Sequence, residues 1–331
     1  MRFVGCHVFA GGFSLGMVQE GGELIAHLEG DDAYCHEDAE FNLGATVLRP
    51  GEWSQVAPGN LDVLVANPPC APWSQAGNSL GSNDKRVSCV TDVISNVIRL
   101  RPTLVAIESV PNAWKRGREF WEAQADKLND AGYDVVHWLH NTGNLGGLQN
   151  RKRYLLLASL REIPNVMLTA RLPGPRALSD VRDEMSACVA GPRFEYKDPG
   201  QSGLFDAVIP EVPQGKKVRE VWERMYGLPA CAFLARRLAW DEMSPVVMHC
   251  FLVHPTEHRC VTLGELKLLC GFPQTWETRV KAKHIETHMV RMTRGVDPAL
   301  GRHVARIHNN LGAAITTPSQ RVVDTLELTV D

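Results

Sequence analysis

The chain has 331 residues, 44% hydrophobic and 22% charged, with a formal net charge of −3. That balance excludes wholesale disorder and does not announce a polyanion binder, and the length predicts two domains or one large α/β domain with an insertion. No run reaches the roughly 18 apolar residues of a membrane span, and Met1–Ala10 lacks the regions of a signal peptide, so a cytoplasmic protein is expected.

The first 160 residues alternate between strand-like and helix-like segments. Gly5–Phe9 is a short apolar run ending in a glycine turn, and Ser14–Gln19 starts a helix. Glu23–Leu28 and Leu61–Ala66 read as strands, the second stopped by Asn67-Pro68-Pro69. Ser74–Arg86 is a polar loop long enough to be a lid. Val90–Leu100 carries apolar residues at helical spacing. Leu104–Ile107 is an apolar strand, Glu119–Asn129 a helix, and Asp134–Leu139 and Tyr154–Ser159 are strands. Such alternation predicts an α/β fold, a doubly wound, mostly parallel sheet whose ligands sit at the carboxyl ends of its strands. From about Pro164 the texture becomes irregular, and residues 165–255 read as a small lobe, with Val218–Tyr226 and Ala230–Trp240 helical. Leu263–Cys270, Ala299–Asn310 and Ser319–Leu328 read as helices, the last two returning to the first domain.

Nine cysteines, an odd number, in a long chain point to free thiols in a reducing compartment. The patch His249, Cys250, His254, His258 and Cys260 has no paired C-x-x-C, and Pro255 interrupts it, so no metal is expected. Basic stretches stand at Arg151–Arg153, Lys216–Arg219, Arg236–Arg237 and Arg279–Lys283, each compatible with a solvated face.

Three elements carry chemistry. The two prolines after Leu61–Ala66 force an extended chain that presents Cys70 at the sheet edge. Glu108 directly follows an apolar strand, and a carboxylate there can hold a proton near neutrality. In an extended chain Gln149, Arg151 and Arg153 share a face suited to a phosphate or a carbonyl-bearing base edge. Each has a bland alternative: a buried cysteine, a capping glutamate, a solvated strand end. The turn Phe9-Ala10-Gly11-Gly12 could admit a cofactor, and Glu29 after the second strand could bind ribose hydroxyls.

Taken in order, the motifs resemble those of the DNA (cytosine-5)-methyltransferases. They are F-A-G-G-F-S at 9–14 with Glu29, N-P-P-C-A-P-W-S-Q-A-G at 67–77, E-S-V at 108–110, A-G-Y at 131–133 and L-Q-N-R-K-R at 148–153. R-C-V-T-L-G-E-L-K-L-L-C-G-F-P at 259–273 and N-L-G-A-A-I-T-T-P at 310–318 complete the set. The resemblance implies S-adenosylmethionine as cofactor. Phe9, Ala10, Gly11 and Gly12 would line its methionine end, Glu29 its ribose, and Glu52 and Trp53 its adenine, with Asn67, Pro68 and Ala313 nearby. It implies a cytosine flipped out of double-stranded DNA. Cys70 would attack carbon 6, Glu108 would support N3 and the amine, Arg153 would hold O2, and Arg151 would brace the site. The arginines would lower the Cys70 pKa. Ser74, Lys85, Arg86 and Gln149 would meet the DNA.

The resemblance divides the chain into a catalytic and cofactor-binding part at 1–164, a target recognition domain at 165–255 and a returning segment at 256–331. Lys216, Lys217 and Arg219, with Arg176, Arg182 and Arg193, would be available to DNA. A monomer is expected, from a bacterial or phage source, with a cognate restriction enzyme or a downstream DNA-modifying enzyme as possible partner. The chain departs from the family pattern in a glycine turn about two residues short, in Ser109 for the usual Asn, and in Gly312-Ala313 for the usual Gly-Asn. Methylation of RNA and a non-catalytic DNA-binding role are the alternatives. An amino-group methyltransferase would carry an aromatic residue where Cys70 stands, and a zinc deaminase would need a second cysteine at position 73.

Overall fold

A computed structural model describes residues 1–30, 36–74, 80–189, 191–193, 202–227, 235–247, 252–279 and 285–326. The first half runs β1 (Arg2–Cys6), α1 (Gly12–Gln19), β2 (Glu23–Leu28), α2 (His36–Leu43), β3 (Val47–Leu48), β4 (Val63–Ala66), α3 (Ser88–Leu100), β5 (Leu104–Ser109), α4 (Pro111–Asp130), β6 (Asp134–Asn141), β7 (Gln149–Asn150) and β8 (Lys152–Ser159). Then come α5 (Asn165–Thr169), α6 (Arg182–Ala187), α7 (Ser202–Val208), α8 (Val218–Tyr226), β9 (Arg236–Arg237), β10 (Ser244–Pro245), β11 (Leu252–Val253), α9 (Leu263–Leu269), α10 (Ile285–Arg294), α11 (Pro298–Asn309) and β12 (Gln320–Asp324).

Eight strands form one sheet in the order β12-β6-β8-β5-β4-β1-β2-β3. All pairs are parallel except those of β8, which runs against β5 and β6. A parallel sheet must be covered on both faces, and strand alternation divides its residues between two cores. Leu64 and Ala66 of β4 face the α3 and α4 side with Val93, Val97, Trp121 and Leu128. Val63 and Val65 face the opposite side, where Phe13 and Met17 of α1 pack with Leu300 and Val304 of α11. A third core joins Ala10, Leu15 and Leu148 to Leu178, Met185, Leu266, Phe272 and Met292. A fourth, around Phe205, Val218, Trp222, Val253 and Cys260, lies within the irregular part of the chain.

Three local expectations need correction, and two helices are new. The first strand ends at Cys6, and His7 and Phe9 bend the chain away with φ of 52° and 51°. Within Ser319–Leu328, Gln320–Asp324 pairs in parallel with β6 instead of forming a helix, because Val322, Val323 and Thr325 suit an extended chain at an open edge, and 327–328 lie outside the described residues. Position 235 onward of Ala230–Trp240 holds the two-residue β9 rather than a helix, and 230–234 lie outside the described residues. The helices α2 and α10 were not expected. They are tied together where Arg291 meets Asp38 through Nε–Oδ2 and Nη2–Oδ1, each at 2.9 Å.

The direction of β8 positions the chemistry. Its last residue, Ser159, pairs with Leu104 at the start of β5, and Tyr154 pairs with Ser109 at the end. The residues preceding β8 therefore stand at the carboxyl edge of β4 and β5, where Asn67 to Cys70 and Glu108 emerge.

Candidate active site

Parallel pairing of Ala66 with Ile107 sets Asn67 beside Glu108. Glu108 stands directly opposite Leu155, so Arg153, two residues before it, lies on the same face. The side chains use this register. Arg153 Nε lies 2.7 Å from Glu108 Oε1, and Asn67 Nδ2 donates to Glu108 Oε2 at 2.6 Å. Arg153 Nη1 donates to its neighbour's carbonyl, Lys152 O, at 2.7 Å. Asn67, Glu108 and Arg153 are 4%, 3% and 8% exposed, so this is a buried, charge-assisted chain. Asn67 Oδ1 is buried without a hydrogen-bond partner.

Cys70 follows the two prolines and is half-buried. Its carbonyl accepts from the amides of Trp73 and Ser74, closing a tight turn. Trp73 is buried against α4 at Gly117, where the helix departs from helical geometry. Burial and then the Glu108 charge push the Cys70 thiol up, and the pull of Arg153 and Arg151 does not offset them. The expected lowering by the arginines is thus corrected. Those two charges act in the expected direction, but desolvation is larger.

Gln149 and Arg151 point inward. Gln149 Nε2 donates to Leu269 O at 3.0 Å and its Oε1 accepts from Val247 N at 3.2 Å, so the side chain joins segments of the protein. Arg151 donates to Thr293 O at 2.9 Å and Gly295 O at 2.8 Å. Neither carbonyl was anticipated from the sequence. The signal was the Asp297-Pro298 pair, a capping residue followed by proline at the start of the amphipathic α11.

The bend after β1 forms the other half of the site. Glu29, at the end of β2, is buried beneath it, and its Oε1 accepts from Val8 N at 2.9 Å. Burial raises the Glu29 carboxyl to about 7. Trp53 is buried, donates through Nε1 to Leu48 O, and meets His7 edge-on. Glu52 is exposed and accepts from Arg49 N at 2.9 Å. A Cβ at Gly12 would lie 2.0 Å from Val296 O, and one at Gly11 2.5 Å from Ala39 Cβ. Both glycines therefore serve close approach within the chain. Gly295 lies against Phe9 and Ala10. The bend, Glu29 and Trp53 offer a buried acid and an aromatic edge at neighbouring strand ends, a donor set that fits a nucleoside-bearing cofactor.

Ala313 does not belong to this cluster. Glu162 N donates to Ala313 O, and Gly312 N donates to Glu162 O, each at 2.8 Å, just beyond the end of β8. That is the amino edge of the parallel strands, across the sheet from Cys70. The segment beside the bend after β1 is Thr293–Val296 instead.

Of the residues expected at DNA, Ser74 is half-buried at the end of the Cys70 turn, and 75–79 of the loop lie outside the described residues. Lys85 is exposed. Arg86 is held by Asp84 through Nε at 2.9 Å and Nη2 at 2.6 Å. Lys216, Lys217 and Arg219 are exposed at the start of α8, with Arg219 paired to Glu223. Arg176 and Arg193 are also exposed, and Arg182 stacks over Trp240. His254 Nδ1 accepts from the amides of Thr256 and Glu257, while Arg259 forks onto Glu265 at 2.8 Å through both terminal nitrogens.

The chain matches the family model of C-5 cytosine-specific DNA methylases over residues 1–308. A relative from Psychrobacter sp., Type II methyltransferase M.PspPI, is 25% identical over 301 residues, 81% of this chain and 70% of that one. Type II methyltransferase M.HgiBI from Herpetosiphon aurantiacus is 32% identical over 165 residues, 47% of this chain and 36% of its own length. Among solved structures, a putative DNA modification methyltransferase encoded within an E. coli prophage superposes with a TM-score of 0.71 at 14% identity, covering 94% of this chain and 99% of that one. At that identity the likeness is one of fold.

Proposed function

The chain belongs to the C-5 cytosine-specific DNA methylase family and is a DNA cytosine-5 methyltransferase, and we propose that Cys70, Glu108 and Arg153 carry the reaction. The observation that carries this reading is the buried chain Asn67–Glu108–Arg153 beside the Cys70 turn. A thiol, a carboxylate and a guanidinium converge on one sheet edge, matching the electrophilic carbon, the N3/amine edge and the carbonyl of a cytosine.

The target base is taken out of the duplex, since its carbon 5 and carbon 6 are otherwise enclosed in the stack. The Cys70 thiol loses its proton and its sulfur forms a bond to carbon 6. Glu108 accepts from the exocyclic amine and, on taking up a proton, donates it to N3, which holds the electron density that the attack pushes into the ring. Arg153 holds O2 while remaining paired with Glu108, and Arg151 fixes the Thr293–Gly295 segment behind them. Bound S-adenosylmethionine supplies the methyl group that carbon 5 takes up. Loss of the carbon 5 proton and departure of the Cys70 sulfur restore the aromatic base.

Glu29 would hold the cofactor ribose and Trp53 the adenine, with Phe9 and Ala10 at the bend. Glu52 would add an acid at the rim. Residues 165–255 would form the target recognition domain, entering the major groove where all four pairs differ. One small module suits a target of about two to four base pairs. Lys85, Lys216, Lys217 and Arg219 would contact phosphate. Mass spectrometry of nucleosides from unmethylated DNA, incubated with protein and S-adenosylmethionine, tests the reading. We expect 5-methylcytosine from the wild type and none from Cys70→Ala, with bisulfite sequencing giving the target. Equal product from the two proteins would refute the role of Cys70.

A further inference from the structure

We propose that Asn67 is a base-recognition residue. It fixes Glu108 through its amide nitrogen and accepts the exocyclic amine of the flipped cytosine through Oδ1. The inference rests on the assignment of Cys70 and Glu108 above, and on three observations independent of it. Asn67 is 4% exposed, at the carboxyl end of β4, three residues before Cys70. Its Nδ2 lies 2.6 Å from Glu108 Oε2. Its Oδ1 is buried with no partner.

The orientation of the amide follows from its neighbour. Glu108 Oε1 faces Arg153 Nε at 2.7 Å, so the group Asn67 meets is a carboxylate. Against a carboxylate only the NH₂ end makes an attractive contact, and Oδ1 must point the other way. A buried carbonyl oxygen with no donor costs free energy, and such groups are rare unless a ligand or water supplies the donor. The Asn67 backbone N–H donates to Cys6 O, while its side chain bonds to Glu108 alone among the described residues, so Oδ1 lies within the reach of one amide group from the catalytic carboxylate. Cytosine presents a donor there, its amine. Uracil and thymine present a carbonyl, which would leave Oδ1 facing another acceptor. Asn67 would therefore favour cytosine over uracil by a hydrogen bond gained in one case and a repulsion in the other, a form of discrimination that reaches large ratios in buried sites.

The test is binding of the cofactor-free full chain to duplexes carrying cytosine, uracil or an abasic site at the target position, read by fluorescence anisotropy. Single-turnover methylation of the cytosine duplex is measured in parallel. We expect the wild type to bind cytosine at least tenfold more tightly than uracil. Asn67→Ala should lose that preference, keep its affinity for the abasic duplex, and methylate more than tenfold more slowly. Asn67→Asp keeps an acceptor and loses the amide donor, so it should retain the binding preference while its methylation rate falls through disturbance of Glu108. A preference preserved in Asn67→Ala, or lost equally in Asn67→Asp, overturns the inference and leaves Asn67 as a support for Glu108 alone. Failure of the underlying assignment would look different: the wild type itself would show no Cys70-dependent methylation and no cytosine preference.

Discussion

The guanidinium of Arg151 donates to the carbonyl oxygen of Gly295, 2.8 Å away and 144 residues further along the chain. A second bond reaches Thr293 O. Arg151 thereby holds the segment that lies on Phe9, Ala10 and Gly12 at the bend after β1, the proposed cofactor site. Arg151→Ala would leave two buried carbonyls without donors, at about 1–3 kcal/mol each. We expect the KM for S-adenosylmethionine to rise about tenfold or more, with a smaller change in the KM for DNA. Arg151→Lys, with one point charge for two carbonyls, should fall between. A variant with an unchanged cofactor KM would separate this clamp from cofactor binding.

Arg153 and Glu108 form a buried ion pair, so the two single deletions should differ from ordinary surface changes. Removing the arginine leaves a buried carboxylate held only by Asn67. Losses of this kind typically reach about 3–5 kcal/mol. Turnover should fall by about 100-fold or more, because a group facing developing charge is lost. Thermal melting and single-turnover methylation of Arg153→Ala check both. Unchanged melting would show that solvent reaches Glu108.

Cys70 should titrate high. Burial and Glu108 raise its thiol above the ordinary cysteine value, so the thiolate is the minor form at neutral pH. Its fraction then grows tenfold per pH unit until the raised pKa is reached. Alkylation of Cys70 by iodoacetamide should climb with that slope from pH 7 to 9 and stay slower than that of a free thiol. Peptide mapping distinguishes it from Cys89, which is also half-buried. A rate that is flat over this range would mean that the arginines win in the folded protein.

Much of this site was legible in the sequence because strand ends are local features. Four apolar residues stopped by Asn67-Pro68-Pro69, and an apolar strand ending in Glu108, announce two side chains at one edge of a parallel sheet. Arg153 was legible for the same reason, through its place before an apolar strand. What was not legible depends on distant pairing. The extended β12 is set by the open edge of β6, and its own residues also fit a helix by composition. The placement of Ala313 failed because a Gly-Ala pair resembles a motif locally, whereas its hydrogen bonds to Glu162 fix it at the other edge. The partners of Gln149, Leu269 and Val247, come from more than 90 residues away, so no local pattern announces them. The role of Asn67 was obscured because sequence gives its position and not the orientation of its amide.

Trp73 occupies the space that a side chain on Gly117 would need: an added Cβ would lie 2.4 Å from its ring. In an isolated helix Gly→Ala stabilises by about 1 kcal/mol. Here overpacking, typically about 1–3 kcal/mol, should outweigh that gain. Trp73 also donates its amide to Cys70 O, so displacement of the ring would shift Cys70, the proposed nucleophile. Gly117→Ala is expected to melt lower than wild type and to lose kcat more than DNA affinity. A variant that melts higher with full activity would show that Trp73 repacks freely.

Glu29 should oppose stability and function. Its folded pKa of about 7 lies above the value near 4.5 of an unperturbed glutamate. Between those values the folded state holds a proton that the unfolded state has released, so stability falls as pH rises from about 4.5 to 7. Above pH 7 the cost levels off at about 3 kcal/mol. Glu29→Gln retains an oxygen for Val8 N–H and carries no charge to bury. It should therefore melt higher than wild type at pH 8, with the difference vanishing near pH 4.5. The carboxylate is also the form that accepts two ribose hydroxyls, so the same variant should bind S-adenosylmethionine at least tenfold more weakly. Calorimetry across pH 5 to 9, with and without the cofactor, reads both effects in one series. A variant that loses cofactor affinity without gaining stability at pH 8 would mean that water or Arg49 already relieves the buried charge. One that gains stability and keeps its affinity would remove Glu29 from the cofactor site.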